Sequence, residues 1–93
     1  MQRLVLTNTA KKDLAALDKV IQERIQVVLD KIMDNPESAP LKKLEGEPEE
    51  WSLRVGDWRV IMYFDRQKGI ARIDRIKHRS SVYRKRGHRQ RDR

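Results

Sequence analysis

The stretch from Trp51 to Phe64, WSLRVGDWRVIMYF, constrains this chain more than any other. Apolar and polar residues alternate on either side of Gly56-Asp57, which is the pattern of two strands, because successive strand side chains point to opposite faces. Folding back at Gly56-Asp57, two residues tolerant of positive φ, gathers Trp51, Leu53, Val55, Trp58, Val60, Met62 and Phe64 on one face. That face is predicted to be the core, with both tryptophans in it rather than serving as base-stacking platforms.

The same register sets Arg54 opposite Arg59 on the other face, with Cβ atoms about 4.5–5.5 Å apart. Two guanidiniums on rigid strands offer several fork-shaped donors, the chemistry that grips a phosphate. The plainer alternative is that both arginines extend into water, where salt screens their repulsion.

The charge distribution favours a polyanionic partner. Residues 1–50 carry 8 Lys+Arg against 10 Asp+Glu, whereas residues 51–93 carry 14 against 4, so the whole net charge of +8 comes from the second half. Clustered cations steer association with nucleic acid and release its counterions. An anionic membrane is the weaker partner, because no apolar helical face accompanies the basic region. A chain of 93 residues without repeats reads as one small domain, with any site on its surface. Without cysteine there is no disulfide or thiolate chemistry, which fits a reducing, cytoplasmic setting. No cofactor motif is present. The loop glutamates Glu45, Glu47, Glu49 and Glu50 read as solvated rather than as metal ligands, so no metal is expected.

Arg3 to Thr7 reads as a first strand. Thr7, Asn8 and Thr9 are all candidate helix N-caps. Ala10, Leu14 and Leu17 begin an apolar stripe that continues through Ile21, Ile25, Val28 and Ile32. Periodicity allows one long helix or a hairpin of two helices broken near Leu17-Asp18. Asn35-Pro36 ends the helical region. Residues 35–50 read as a connector with Leu41 and Leu44 as anchors. Ile70 to His78 reads as another strand whose alternation fails between Ile73 and Ile76; a bulge near Asp74-Arg75 repairs it and leaves the direction of Lys77, His78 and Arg79 open. Residues 1–84 form the expected domain, and 85–93 a basic, mobile tail.

Arg54, Arg59, His78, Arg79 and Tyr83 form a candidate site for cutting RNA without metal. There the 2′-OH attacks the adjacent phosphate, with a base, an acid and cations around the phosphorane. His78 can exchange protons near neutrality, or it can be an ordinary strand-end histidine. Tyr83 can act as a base only if cations lower its pKa, and otherwise stacks on a nucleobase or covers the core rim. Lys77, Arg79, Arg84, Lys85 and Arg86 are the candidate nucleic-acid contacts.

Three segments carry a family likeness: Leu4 to Leu14 (LVLTNTAKKDL), Leu53 to Ile61 (LRVGDWRVI) and Lys77 to Arg84 (KHRSSVYR). On these the chain resembles the RelE/ParE superfamily of bacterial toxin–antitoxin toxins. The resemblance implies an α+β fold: an N-terminal strand, a helical hairpin, and a three-stranded antiparallel meander in one small sheet packed on the helices. It also implies the helix break near Asp18. For RelE-like members it implies ribosome-dependent cleavage of mRNA, which inhibits translation, and neutralisation by a cognate antitoxin. It maps the strand arginine to Arg59, the terminal aromatic to Tyr83, and a basic residue before it to Lys77 or Arg79; ribosome-dependent relatives with a histidine there favour His78. Two catalytic lysines of the best-known member correspond to Glu50 and Ser52 here, so that part of its mechanism does not transfer. The ParE branch implies a different activity, inhibition of DNA gyrase, and a non-catalytic RNA-binding module is a third reading.

Overall fold

The computed structural model describes residues 3–35, 41–44 and 50–80. Strand β1 (Arg3–Leu6) leads into helices α1 (Asn8–Ala15) and α2 (Lys19–Asp34). Four further strands follow: β2 (Leu41–Lys43), β3 (Glu50–Val55), β4 (Trp58–Asp65) and β5 (Ile70–His78). They form one sheet in the order β1-β5-β4-β3-β2. The α+β architecture of strand, helical hairpin and antiparallel meander is the expected one.

The sheet has one strand more than expected, five rather than an N-terminal strand and a three-stranded meander. Residues 41–43 pair antiparallel with β3, Leu41 opposite Leu53 and Lys43 opposite Trp51; the connector reading of this segment is thereby corrected. A three-residue strand is too short to show a period. β1 joins parallel to β5, Leu6 opposite Ile73, a pairing between the two ends of the domain that no local pattern encodes.

The β3–β4 hairpin has the predicted register, with Val55 opposite Trp58 and Arg54 opposite Arg59. Gly56 takes a φ of 59°, and Asp57 does not join it at positive φ; glycine at the first loop position is the II′ arrangement, which matches strand twist. In β5, Ile73 faces Met62 and Arg75 faces Ile61, so Asp74 is the bulged residue. The bulge brings Ile73 and Ile76 to the same face.

Leu53, Val55, Val60, Met62, Phe64, Ala71, Ile73 and Ile76 form the buried sheet face, packed on Ala10, Ile25, Leu29 and Ile32 of the helices. Trp51 and Trp58 lie at the rim of this core, half-buried. The predicted helix break is present. Thr7 is the cap of α1, its hydroxyl accepting from the Ala10 N–H at 3.1 Å and donating to the Asp74 carbonyl at 3.1 Å. Asp18 occupies the N-cap position of α2 but its side chain makes no capping bond. Gln22 closes the break instead, donating from Nε2 to the carbonyls of Leu14 (2.8 Å) and Leu17 (3.1 Å).

Beyond the end of β1 the edge of β5 is covered by α1. Asp13 accepts from the Ile76 N–H at 2.9 Å and from Arg75 Nε at 2.8 Å. Burial alone would push the Asp13 carboxyl up, but the Arg75 hydrogen bond, the Ile76 N–H and the charges of Arg75 and Lys77 outweigh it and hold the group below its ordinary value. A carboxyl depressed in the folded state adds stability that is present above its unfolded pKa of about 3.9 and fades as pH falls through the lower folded value. Asp13→Asn is therefore expected to destabilise the fold by about 1–3 kcal/mol near neutrality. The gap to the parent should close in acid below that range, read by denaturant unfolding at several pH values; a gap constant with pH would show that the carboxylate charge is not involved.

Candidate functional site

The alternate positions of β3, β4 and β5 face away from the helices. At the hairpin end of that face Arg54, Arg59 and Lys77 form one row: Arg54 is paired with Arg59 across β3–β4, and Arg59 with Lys77 across β4–β5. Three cationic side chains thus stand on adjacent strands, a strand spacing of about 4.8 Å apart in backbone terms. The bulge at Asp74 decides that Lys77 belongs to this row.

Arg59 is held in place. Its Nη1 donates to the carbonyls of Gly56 (3.0 Å) and Trp58 (2.9 Å), both in the hairpin. A guanidinium has five N–H donors. With Nη1 occupied, Nε and Nη2 keep theirs for an anion. Arg54 is exposed. Neither arginine is ion-paired with a carboxylate among the described residues, whereas Arg72 and Arg75 are bound to Asp74 and Asp13. Arg54 and Arg59 are thus arginines of the sheet whose charge no described acid compensates.

A further cation comes from α2. A Cβ added to Gly56 would lie 3.5 Å from Arg24 Nη1, so the Arg24 guanidinium sits beside the hairpin turn. Sequence reasoning missed it. Its place on an exposed helix face carried no signal, since only tertiary packing brings α2 to the turn.

His78 goes elsewhere. It pairs with Trp58, not with Arg59, and its ring meets the Trp58 ring edge-on with centroids 5.2 Å apart. The Ser80 backbone N–H donates to Nδ1 at 3.3 Å, and the Ser80 hydroxyl lies 2.9 Å from the same atom. Because a backbone N–H can only donate, the neutral ring bonded this way carries its proton on Nε2, and its basic nitrogen is already engaged. Strand parity and the Trp58 contact thus place His78 on the other side of the sheet from Arg54 and Arg59. Arg79 is exposed and its N–H donates to the Asp57 carbonyl at 2.8 Å, fixing the end of β5 to the hairpin turn. Tyr83, Arg84, Lys85 and Arg86 lie outside the described residues, as does the boundary between domain and tail.

Glu50 and Ser52 lie on the same face as Arg54, opposite Tyr63 and Ile61 respectively. The arrangement as a whole suits an anion: a rigid row of donors at the end of an open sheet face, with no groups among the described residues that could hold a metal.

Comparison with known proteins bears on the family and the fold. No curated protein matches the chain in sequence. The RelE of an archaeal RelE–RelB complex from Pyrococcus horikoshii OT3 is similar at 27% identity and a TM-score of 0.73, over 85% of this chain and 97% of that one. A chain of the toxin–antitoxin complex RelBE2 from Mycobacterium tuberculosis is similar at 25% identity and a TM-score of 0.73, over 84% and 98%. The isolated E. coli RelE toxin shares the fold at 20% identity and a TM-score of 0.73, over 96% and 98%. The family model described as the ParE toxin of the type II toxin–antitoxin system, parDE, matches residues 4–83. With its fold shared by RelE toxins and most of its length matched by that model, this chain belongs to the ParE toxin family of the RelE/ParE superfamily, the toxins of type II toxin–antitoxin systems.

Proposed function

We propose that this toxin cuts messenger RNA on the ribosome and so stops translation, by activating the 2′-OH of one nucleotide against its own 3′ phosphate. The observation that carries the reading is the Arg54–Arg59–Lys77 row, with Arg59 fixed to the hairpin carbonyls and, among the described residues, no carboxylate ion-paired with either arginine. Attack by the 2′-OH on phosphorus closes the 2′,3′-cyclic phosphate as the bond to the 5′-oxygen breaks, the 2′ proton passing to solvent and the 5′-oxygen taking one up; donors already in place stabilise the charge that builds on the non-bridging oxygens. The Nε and Nη2 donors of Arg59 grip those oxygens, while Arg54 and Lys77 flank them.

The described face carries charge stabilisation in the cationic row, while its carboxylates, Glu50 and Asp74, lie toward the other end beside Tyr63 and Arg72. His78 has its basic nitrogen bonded to Ser80, and serves here to anchor the strand end. Alignment of the 2′-OH then has to come from the surroundings of the bound message, which accounts for a toxin that acts only in the cytoplasm on the ribosome. Tyr83, with the proton-transfer or base-stacking role, and the contacts of Arg79, Arg84, Lys85 and Arg86 complete the proposal. A cognate antitoxin with an acidic or amphipathic segment would cover the basic face; the RelE–RelB complexes among the similar structures support such a partner.

A second reading, inhibition of DNA gyrase, is favoured by the parDE description of the matching family model and by Glu50 and Ser52 standing where RelE-like catalysis would place lysines. Purified toxin added to programmed ribosomes decides between them. Cleaved message ending in a 2′,3′-cyclic phosphate is the expected result. Intact message, together with DNA synthesis failing before protein synthesis after induction, would establish the gyrase reading.

A further inference from the structure

The open sheet face has a second end, built differently from the cationic row. Four residues along β4 from Arg59, about 13 Å at strand rise, Tyr63 shares that face and pairs with Arg72 of β5. The Arg72 guanidinium lies over the Tyr63 ring, 4.8 Å from its centroid. Asp74, the bulged residue, clamps it from the side through Nε at 2.6 Å and Nη2 at 3.1 Å. The Arg72 side chain is still 46% exposed. Arg72 and Tyr63 form a cation–π plate whose guanidinium Asp74 holds by two hydrogen bonds.

Its charge argues against a phosphate. Asp74 neutralises Arg72 directly, and Glu50, across from Tyr63 on β3, is close enough to act on it as well. An anion approaching the plate meets two carboxylates, whereas an unpaired base meets a planar π surface. Unstacked bases do stack on aromatic rings and on arginine planes in single-stranded RNA recognition. Half-buried Ile61 lies between plate and row on the same strand face, giving an apolar stretch along which a ribose and base can lie.

We propose that the Tyr63–Arg72–Asp74 cluster is a nucleobase-stacking subsite, which takes a base of the same single strand whose phosphate sits on the Arg54–Arg59–Lys77 row. The inference rests on the RNA reading above and extends it: phosphate grip at one end of the face, base grip at the other. Asp74 has two tasks in it, since the bulge it forms both turns Lys77 into the row and supplies the clamp on Arg72. Stacking of this kind tolerates any base, so the subsite adds affinity and register rather than sequence choice.

The test measures binding of the purified toxin to a labelled single-stranded oligoribonucleotide and to inorganic polyphosphate of similar length, at several salt concentrations. Tyr63→Ala is expected to weaken RNA binding about tenfold, with polyphosphate binding and the salt slope unchanged. Tyr63→Phe, which keeps the ring, should bind as the parent does. Should Tyr63→Ala fold poorly, Tyr63→Leu keeps the bulk without the ring and carries the same expectation. Arg59→Ala should weaken RNA and polyphosphate alike and flatten the salt slope. If the Tyr63 variants bind RNA like the parent while Arg59→Ala does not, the stacking subsite is overturned and the phosphate reading stands. Equal loss of RNA and polyphosphate on removing the ring also overturns the subsite, since only charge or folding would then be at stake. Parent-like binding by Arg59→Ala overturns the phosphate row and the subsite together.

Discussion

Arg59→Ala should cleave message on programmed ribosomes about 10²–10³-fold more slowly than the parent, the loss that follows removal of a fixed donor from a developing oxyanion. The side chain is chosen because two bonds from Nη1 pin it to the hairpin carbonyls, at 3.0 and 2.9 Å. Preorganisation is what makes such a donor effective, so Arg54→Ala, which removes an exposed and unpinned arginine, should cost less. Arg59→Lys keeps the charge and loses the fork, and should recover only part of the rate. Folding should change little, by about 1 kcal/mol at most, since the lost bonds go to a solvent-accessible turn. A folded Arg59→Ala protein that cuts message at the parent rate would remove the catalytic assignment of the row.

Ile73→Ala is the substitution expected to harm the fold most clearly. Ile73 is fully buried, faces Met62 on β4 and Leu6 on β1, and lies just before the bulge that sets the later half of β5. Shortening it leaves a cavity where three strands and α1 meet, at a cost of about 2–5 kcal/mol. A domain of this size holds roughly 4–12 kcal/mol in total. The midpoint of thermal unfolding should therefore drop by about 10–30 °C. A drop of only a few degrees would show that the centre of the core lies elsewhere.

Most of the sheet core could be read in advance from alternation. Leu53, Val55, Val60, Met62 and Phe64 are buried as predicted, and the hairpin register that opposes Arg54 to Arg59 followed from the position of Gly56. The bulge was legible too, as a break of parity between Ile73 and Ile76. All of these depend on spacing within a few residues. The candidate site was legible only halfway. The paired arginines were visible because they share a hairpin, but Arg24 reaches the turn from α2 and Arg72 reaches Tyr63 across strands, and neither approach leaves a trace in local sequence.

His78 marks the same limit. Its residue type suggested proton transfer, and one step of strand parity beyond the bulge sent it to Trp58 instead. What the sequence determined by itself is the set of short-range facts: which residues alternate, where the chain turns, which arginines oppose each other, and that the positive charge lies in the second half. Tertiary structure alone decided that β1 runs parallel beside β5, that Asp13 closes the edge of β5, and that Lys77 completes the cationic row. Side-chain period is a property of consecutive residues, whereas these contacts join segments more than fifty residues apart or hang on a single bulged residue, so they exist only once the core has closed.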